Sequence, residues 1–310
     1  MRVVIAGATG FIGQALCRHL HGGYELVALS RNPQKAAGVI GDHARIIEWD
    51  GQTAGPWARE VAGARAVVNL AGENISAGRW SQSKKTRIRQ SRTQAARAMI
   101  RAITAARVKP DVLIQGSAIG YYGPRGDEVL DEDASSAGGF LAEVCRDLEA
   151  VAAESEALGV RCALARTGVV LDTKGGALPK LMRPFRFHLG GHLGNGRQWF
   201  SWISLHDEVR AIRFLIEHGE ARGVFNLTAP EPVTMKDFCR TLGEVLDRPA
   251  WTAVPAVALR LAFGEMAREV LLAGQRVMPK RLMEQGFEFV HSNAADALAA
   301  IVRGEEHGST

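Results

Sequence analysis

Seven residues near the amino end, Gly7-Ala8-Thr9-Gly10-Phe11-Ile12-Gly13, have the types and spacing of a turn that could hold a pyrophosphate. Glycine at 7 allows the tight turn, glycine at 10 lets the backbone approach the phosphates, and glycine at 13 lets the next helix pack on the preceding strand. That helix would present unpaired N–H groups and the positive end of its dipole to the anion. The following apolar run ends in Leu29-Ser30-Arg31-Asn32. A carboxylate there would bind a ribose 2′-hydroxyl and repel a 2′-phosphate. A hydroxyl and a guanidinium can instead hold the phosphate through charge-assisted hydrogen bonds. These residues predict NADP(H) in preference to NAD(H).

Two further arginines interrupt apolar patterns. Arg92 falls on the helical stripe of Ile88, Ala95, Ala96, Met99 and Ile103, and Arg166 breaks the run CALARTGVVL. A buried arginine needs an anion or another acceptor. The partner is a carboxylate of the protein or the cofactor, and the lack of acidic residues in either segment favours the cofactor. Groups for proton transfer are sparse. Tyr121 and Tyr122 follow the apolar run at 112–116 and could supply a phenol or pack over the cofactor. Cys145 shares a helical apolar stripe with Leu141, Val144, Leu148, Val151 and Ala152, the pattern of a packing residue rather than of a reactive thiol. His188 and His192 have i, i+4 spacing but stand among glycines without an acidic neighbour, so no metal site is expected.

The elements that would carry these groups alternate. Apolar runs at 2–6, 25–30, 44–48, 66–71, 112–116 and 161–171 are separated in several places by helical patterns, including one from Phe11 to His21 and one around 84–107. Strand alternating with helix implies a doubly wound parallel sheet of the Rossmann type. Beyond Leu171 the texture changes to a glycine-rich stretch, LGGHLGNGRQ, then WFSWISL and two capped helical patterns that begin at Ser204 and Thr234. A proline-led amphipathic helix is expected over about 255–273. The chain thus reads as an NADP-binding domain over residues 1–170 and a smaller substrate lobe over 171–310, with some of the latter returning to the sheet.

Taken in order, VVIAGATGFIG, LSRNP, VVNLAGENI, SAIGYYG, RTGVVL and WFSWISLHD resemble an atypical branch of the extended short-chain dehydrogenase/reductase family. This branch is often labelled epimerase family, or nucleoside-diphosphate-sugar-epimerase-like. The tail VLLAGQRVMPKRLMEQGFEF is similar to the extra carboxyl-terminal segment of the same branch, so the resemblance spans essentially the whole chain. It implies that residues 7–13 and Ser30-Arg31 surround the adenosine and phosphates, and that Leu70-Ala71-Gly72 pass under the adenine and ribose. It also implies that Arg92 and Arg166 serve NADP and that Ser117 lies near the family's catalytic serine. Anchoring on Tyr122-Gly123 instead moves the serine position to Ala118. Family enzymes carry a Tyr and, four residues on, a Lys that lowers its pKa. Aligning Glu149 with the family's helix glutamate puts Leu141 and Cys145 in those places, and no change of register restores the pair. Four residues after Tyr24, Tyr121 and Tyr122 stand Ala28, Arg125 and Gly126.

Composition narrows the alternatives. A chain of 310 residues, 46% hydrophobic and 23% charged, is that of a globular protein with ample core. Four scattered cysteines suit a reducing compartment, and the absence of a long uncharged apolar run or of a cleavable leader points to a cytoplasmic protein. Ten Lys or Arg and no acid lie between Asn74 and Pro110, but a nucleic-acid surface would also need aromatic residues, and only Trp80 is present. The expected partner is a small-molecule substrate, with no nucleic acid and no membrane, and the oligomeric state stays open. Two functions fit: an NADP(H)-dependent oxidoreductase or epimerase-like enzyme acting on a small carbonyl or sugar-nucleotide-like substrate with an unusual proton donor, and a non-catalytic NADP(H)-binding sensor or scaffold.

Overall fold

Short runs of valine, isoleucine, leucine and alanine form the strands of a seven-stranded parallel sheet in the computed structural model, which describes residues 1–304. The strands are β1 (Arg2–Ala6), β2 (Glu25–Ser30), β3 (Arg45–Glu48), β4 (Ala66–Asn69), β5 (Val112–Ala118), β6 (Arg161–Thr167) and β7 (Gly223–Leu227). Their order is β7-β6-β5-β4-β1-β2-β3 and all neighbours run parallel. Winding reverses between β1 and β4, and ligands of such sheets bind beyond the carboxyl ends of the strands at that point. The fold is therefore the expected Rossmann type. Its edge strand β7 comes from beyond residue 170.

The helices are α1 (Phe11–Leu20), α2 (Pro33–Ile40), α3 (Gln82–Ala105), α4 (Phe140–Ala157), α5 (Leu178–Phe185), α6 (Leu205–Glu217), α7 (Met235–Leu246), α8 (Ala256–Phe263), α9 (Lys280–Glu284) and α10 (Ala294–Arg303). Successive strand residues point to opposite faces, and each face has its own core. Val3 and Ile5 of β1 join Leu16 of α1 and Ile212 of α6, while Val4 and Ala6 join Met99 and Ile103 of α3 and Leu148 of α4. Both faces being covered explains why the strands read as unbroken apolar runs. A third core, with Phe185, Trp202, Phe238 and Leu298, holds α5, α7 and α10 together as a lobe.

Two sequence expectations need correction. The run at 161–171 is two strands, not one. Gly168 lies so close to Ser201 that a Cβ would sit 2.7 Å from its carbonyl oxygen, and Val169–Asp172 leaves the main sheet to pair with Trp202–Ser204. The helix expected over 255–273 ends at Phe263, because Gly264 adopts φ +60°. Ala267–Leu271 then forms a wide π-type turn, closed by the Leu272 N–H on the Ala267 oxygen at 2.8 Å. Both cap signals hold: Ser204 Oγ accepts from the Asp207 N–H at 3.0 Å and Thr234 Oγ1 from the Asp237 N–H at 3.1 Å.

Candidate cofactor and active site

In sheets wound this way, the carboxyl ends of the strands at the reversal, here β1, β2 and β4, border the ligand crevice. Gly7 turns at φ +80°, and a Cβ there would lie 2.6 Å from the Leu70 carbonyl, so the glycine lets the loop after β1 touch the turn after β4. A Cβ on Gly13 would overlap the Gly7 carbonyl oxygen, which makes the close packing of α1 on the loop possible only for glycine. Gly10 is the N-cap of α1; no side chain caps it, and the first turn holds no acid. By contrast, Asn32, Ser81, Ser204, Thr234 and Asn293 cap α2, α3, α6, α7 and α10 through their side chains. The N–H groups of α1 are thus left for an anion. Thr9 and Gly10 are exposed there, Ile12 packs against the core, and the Phe11 ring lies against Gly175 and Gly176, fixing the loop to the lobe.

At the end of β2, Ser30 is buried, and its Oγ both donates to the Asn32 oxygen and accepts from the Asn32 N–H at 3.2 Å. Arg31 is exposed and makes no hydrogen bond or ion pair among the described residues. On the other wall, the Leu70 N–H donates to the Ala6 oxygen at 2.9 Å and the Ala71 N–H to Asn69 Oδ1 at 3.2 Å. A Cβ on Gly72 would lie 2.9 Å from the Arg92 guanidinium carbon, so the arginine rests on the bare backbone. Arg92 Nη1 donates to the carbonyls of Glu73 (3.0 Å) and Ile88 (3.1 Å). Burial lowers its pKa from the usual arginine value; Glu73 opposes this from a distance, and no carboxylate lies within ion-pair distance of it among the described residues. Gly7, Gly10, Gly13, Arg31, Leu70, Ala71, Gly72 and Arg92 are thereby brought to one edge of the sheet.

Arg166 is used differently. Its Nε and Nη2 donate to the two oxygens of Glu149, on α4, at 3.0 and 2.8 Å, and its Nη1 donates to the Tyr122 hydroxyl at 2.9 Å. The lack of an acid near Arg166 along the chain is misleading, since the acid arrives from α4 and the carboxylate alternative is the observed one. Burial opposes the charge of Arg166, but Glu149 more than offsets this and holds the guanidinium above its ordinary pKa. Ser117 Oγ donates to Glu149 Oε1 at 2.6 Å, and the Tyr122 hydroxyl donates to Asn226 Oδ1 at 2.7 Å. Burial pushes the Tyr122 phenol up to about 12. Ser117 and Tyr122 therefore belong to a continuous polar network that ties β5, β6, β7 and α4 together.

Tyr121 is the remaining phenol. It is half-buried, its ring stacks on Arg166 with the guanidinium carbon 3.3 Å from the ring centroid, and its hydroxyl makes no hydrogen bond among the described residues. Leu141 is half-buried beside Gly120, and Cys145 is buried with its Sγ 3.7 Å from the Ala118 oxygen. Burial, reinforced by Glu149, raises the pKa of the Cys145 thiol, the opposite of what a thiolate nucleophile needs.

Sequence reasoning missed Glu149 as a partner and Glu208 altogether. Glu208, on α6, is wholly buried; Thr167 Oγ1 donates to its Oε1 at 2.9 Å and its Oε2 has no partner among the described residues. Burial raises its pKa to about 8. Each acid interrupts an apolar helical stripe, a signal that could have found both. Four of the ten bases in the run at 74–110 pair with acids outside it, Lys84 with Glu73 (2.7 Å), Lys85 with Glu265 (2.9 Å), Arg87 with Glu73 (3.7 Å) and Arg89 with Glu143 (2.6 Å), while Arg92, Arg101 and Lys109 bond backbone carbonyls. Among the described residues no helix is long and apolar enough to cross a membrane, and no three His, Cys, Asp or Glu side chains gather as a metal site.

The chain matches the NAD dependent epimerase/dehydratase family over residues 3–228 and a domain of unknown function, DUF1731, over residues 254–301. It is 40% identical over 299 residues to epimerase family protein ML0860 of Mycobacterium leprae, covering 96% of this chain and 94% of that one. It is 41% identical over 308 residues to the chloroplastic epimerase family protein SDR39U1 homolog of Arabidopsis thaliana, covering 98% and 87%. The crystal structure of human epimerase family protein SDR39U1 (isoform 2) with NADPH has a TM-score of 0.87 at 32% identity, over 98% of this chain and 99% of the human one. At 16% identity and a TM-score of 0.78, over 98% of each chain, the UDP-glucuronic acid 4-epimerase of Bacillus cereus shares the fold.

Proposed function

The chain belongs to the NAD dependent epimerase/dehydratase family, and from that premise we propose that it binds NADP(H) and works as an oxidoreductase or epimerase-like enzyme on a small carbonyl compound. The observation that carries the reading is the uncapped amino end of α1 at the carboxyl edge of the sheet beside Arg31, a cation that makes no hydrogen bond or close ion pair among the described residues and feels only the more distant charge of Glu73. The first suits a pyrophosphate and the second a 2′-phosphate. Arg92, held by two carbonyls only, adds a second cation to the same edge. The human relative bound to NADPH supports the choice of NADP(H) over NAD(H).

The cofactor supplies a hydride when bound. The chain must then deliver a proton to the carbonyl oxygen, giving the alcohol, and here it departs from the Tyr and Lys pair of its family. Leu141 has no exchangeable proton, burial makes the Cys145 thiol hold its proton tightly, and Ser117 and Tyr122 are committed to Glu149 and Asn226. Tyr121 is the group left to donate, with Arg166 against its ring favouring the phenolate that would form. Transfer of deuterium from 4-deuterated NADPH to a carbonyl compound, followed by mass spectrometry, tests the enzyme reading, and Tyr121→Phe should remove the transfer while leaving NADPH binding intact. A non-catalytic NADP(H)-binding sensor is the second reading, favoured by the apolar filling at Leu141 and Cys145. Tight NADPH binding with no transfer to any carbonyl compound would select it.

A further inference from the structure

A separate pocket of about 250 Å³ adjoins the corner where Leu141 stands. Gly120, Leu141 and Ala142 form one side; Arg268, Glu269 and Gln275, from the carboxyl-terminal segment, form the other. The segment is held there by a short parallel pairing of Arg276–Val277 with Val129–Leu130 and by the buried Ser201 Oγ, which donates to the Gln275 carbonyl at 2.6 Å.

Two polar groups in this wall have capacity to spare. Gly139, at φ +110°, brings the amino end of α4 against Glu269, whose oxygens accept the N–H groups of Phe140 (3.1 Å) and Leu141 (3.0 Å). An ionised carboxylate has about four acceptor positions, so two bonds leave room for ligand hydroxyls. Gln275 is only 8% exposed, yet its side-chain amide makes no hydrogen bond among the described residues. The donors and the acceptor of that amide are thus free for a ligand or for water in the pocket.

Resting on the function proposed above, we propose that this pocket takes an uncharged polyhydroxy carbonyl compound in the range from triose to hexose, gripped by Gln275 and Glu269. Pockets for larger, drug-sized ligands run from about 300 to 1,000 Å³, so a volume of about 250 Å³ suits a free sugar better than a nucleoside diphosphate sugar. The Glu269 carboxylate disfavours a phosphate or carboxylate at the bound end, and the rim cation Arg268 is exposed and solvent-screened. Gln275, which can both donate and accept, matches a carbonyl or hydroxyl, while Leu141 and Ala142 supply an apolar wall.

Calorimetric titration of the full chain with dihydroxyacetone, glyceraldehyde, glucose and UDP-glucose, with and without saturating NADPH, tests the proposal. At least one free sugar should bind, UDP-glucose should bind no tighter than glucose, and Gln275→Met should weaken sugar binding roughly tenfold with an unchanged NADPH affinity. Tighter binding of UDP-glucose, failure of every free sugar to bind, or a folded Gln275→Met with wild-type sugar affinity would overturn it. Should that variant not fold, the wild-type preference between glucose and UDP-glucose decides alone. Sugar binding in a protein that ignores NADPH would keep the pocket and remove the cofactor reading.

Discussion

The crevice above β1, β2 and β4 and the corner where β5 and β6 meet α4 lie along the same edge of the sheet, yet they are built by opposite means. In the crevice, groups that could bind are left largely unspent: α1 has no capping side chain, Arg31 makes no hydrogen bond or close ion pair among the described residues, and Arg92 hydrogen-bonds two carbonyls, with Glu73 acting on both arginines only from a distance. In the corner almost everything is spent. Ser117, Glu149, Arg166, Tyr122 and Asn226 satisfy one another, and the half-buried Leu141 and buried Cys145 stand beside them without a charged group. A dinucleotide fold can therefore keep its cradle while its acid–base corner is rebuilt as structure, which is why fold alone does not decide activity.

Substitutions that treat the two regions differently can break this contrast. The largest effect is expected from Gly13→Val, whose side chain has no room beside the Gly7 carbonyl. It should cost about 3 kcal/mol or more in urea unfolding and abolish dinucleotide binding; wild-type NADPH affinity in a folded variant would place the cofactor elsewhere. Arg166→Met should cost about 3–5 kcal/mol, because it strands the buried Glu149 charge. Adding Glu149→Leu should restore much of that stability. If Arg166→Met instead keeps its stability and loses only NADPH affinity, the corner belongs to the cofactor site after all.

Glu208→Gln sharpens the comparison through pH. In the folded protein Glu208 holds its proton up to about 8, whereas its ordinary value is 4.5. The unfolded chain therefore binds fewer protons across that window, and the stability due to this group falls as pH rises from 4.5 to about 8, then levels off. The variant should match wild type at pH near 5 and exceed it by on the order of 4 kcal/mol above pH 8, read from urea melts at both ends. A variant equally stable at every pH would mean that Glu208 is ionised and solvated. The smallest of these effects should come from Arg31→Ala, an exposed substitution expected to leave stability unchanged. It should weaken NADPH binding by about 10- to 100-fold and NADH binding hardly at all, as measured by competition between the two.

Much of the crevice was legible in the sequence because its requirements are local. Gly7, Gly10 and Gly13 are glycines for reasons set within one turn, and Ser30-Arg31 sits at a fixed place after β2. The two caps, Ser204 and Thr234, were readable for the same reason. The corner was not, because its partners come from far along the chain. Arg166 looked unpaired until α4 brought Glu149 to it, and Tyr122 looked like a candidate donor until β7 brought Asn226. The run at 161–171 concealed a break because only the close approach of Ser201 to Gly168 reveals it. The end of α8 hinged on Gly264, a single glycine in an otherwise helical pattern, which can be tolerated within a helix or end one.

That the crevice selects NADP(H) is tested most directly by titrating the purified protein with NADPH and, in parallel, NADH, following the fluorescence of the bound nicotinamide. NADPH should bind at least about tenfold tighter than NADH. Equal affinity for the two, or binding of neither, would contradict the assignment of Arg31 and the amino end of α1 as the site of the cofactor's phosphates.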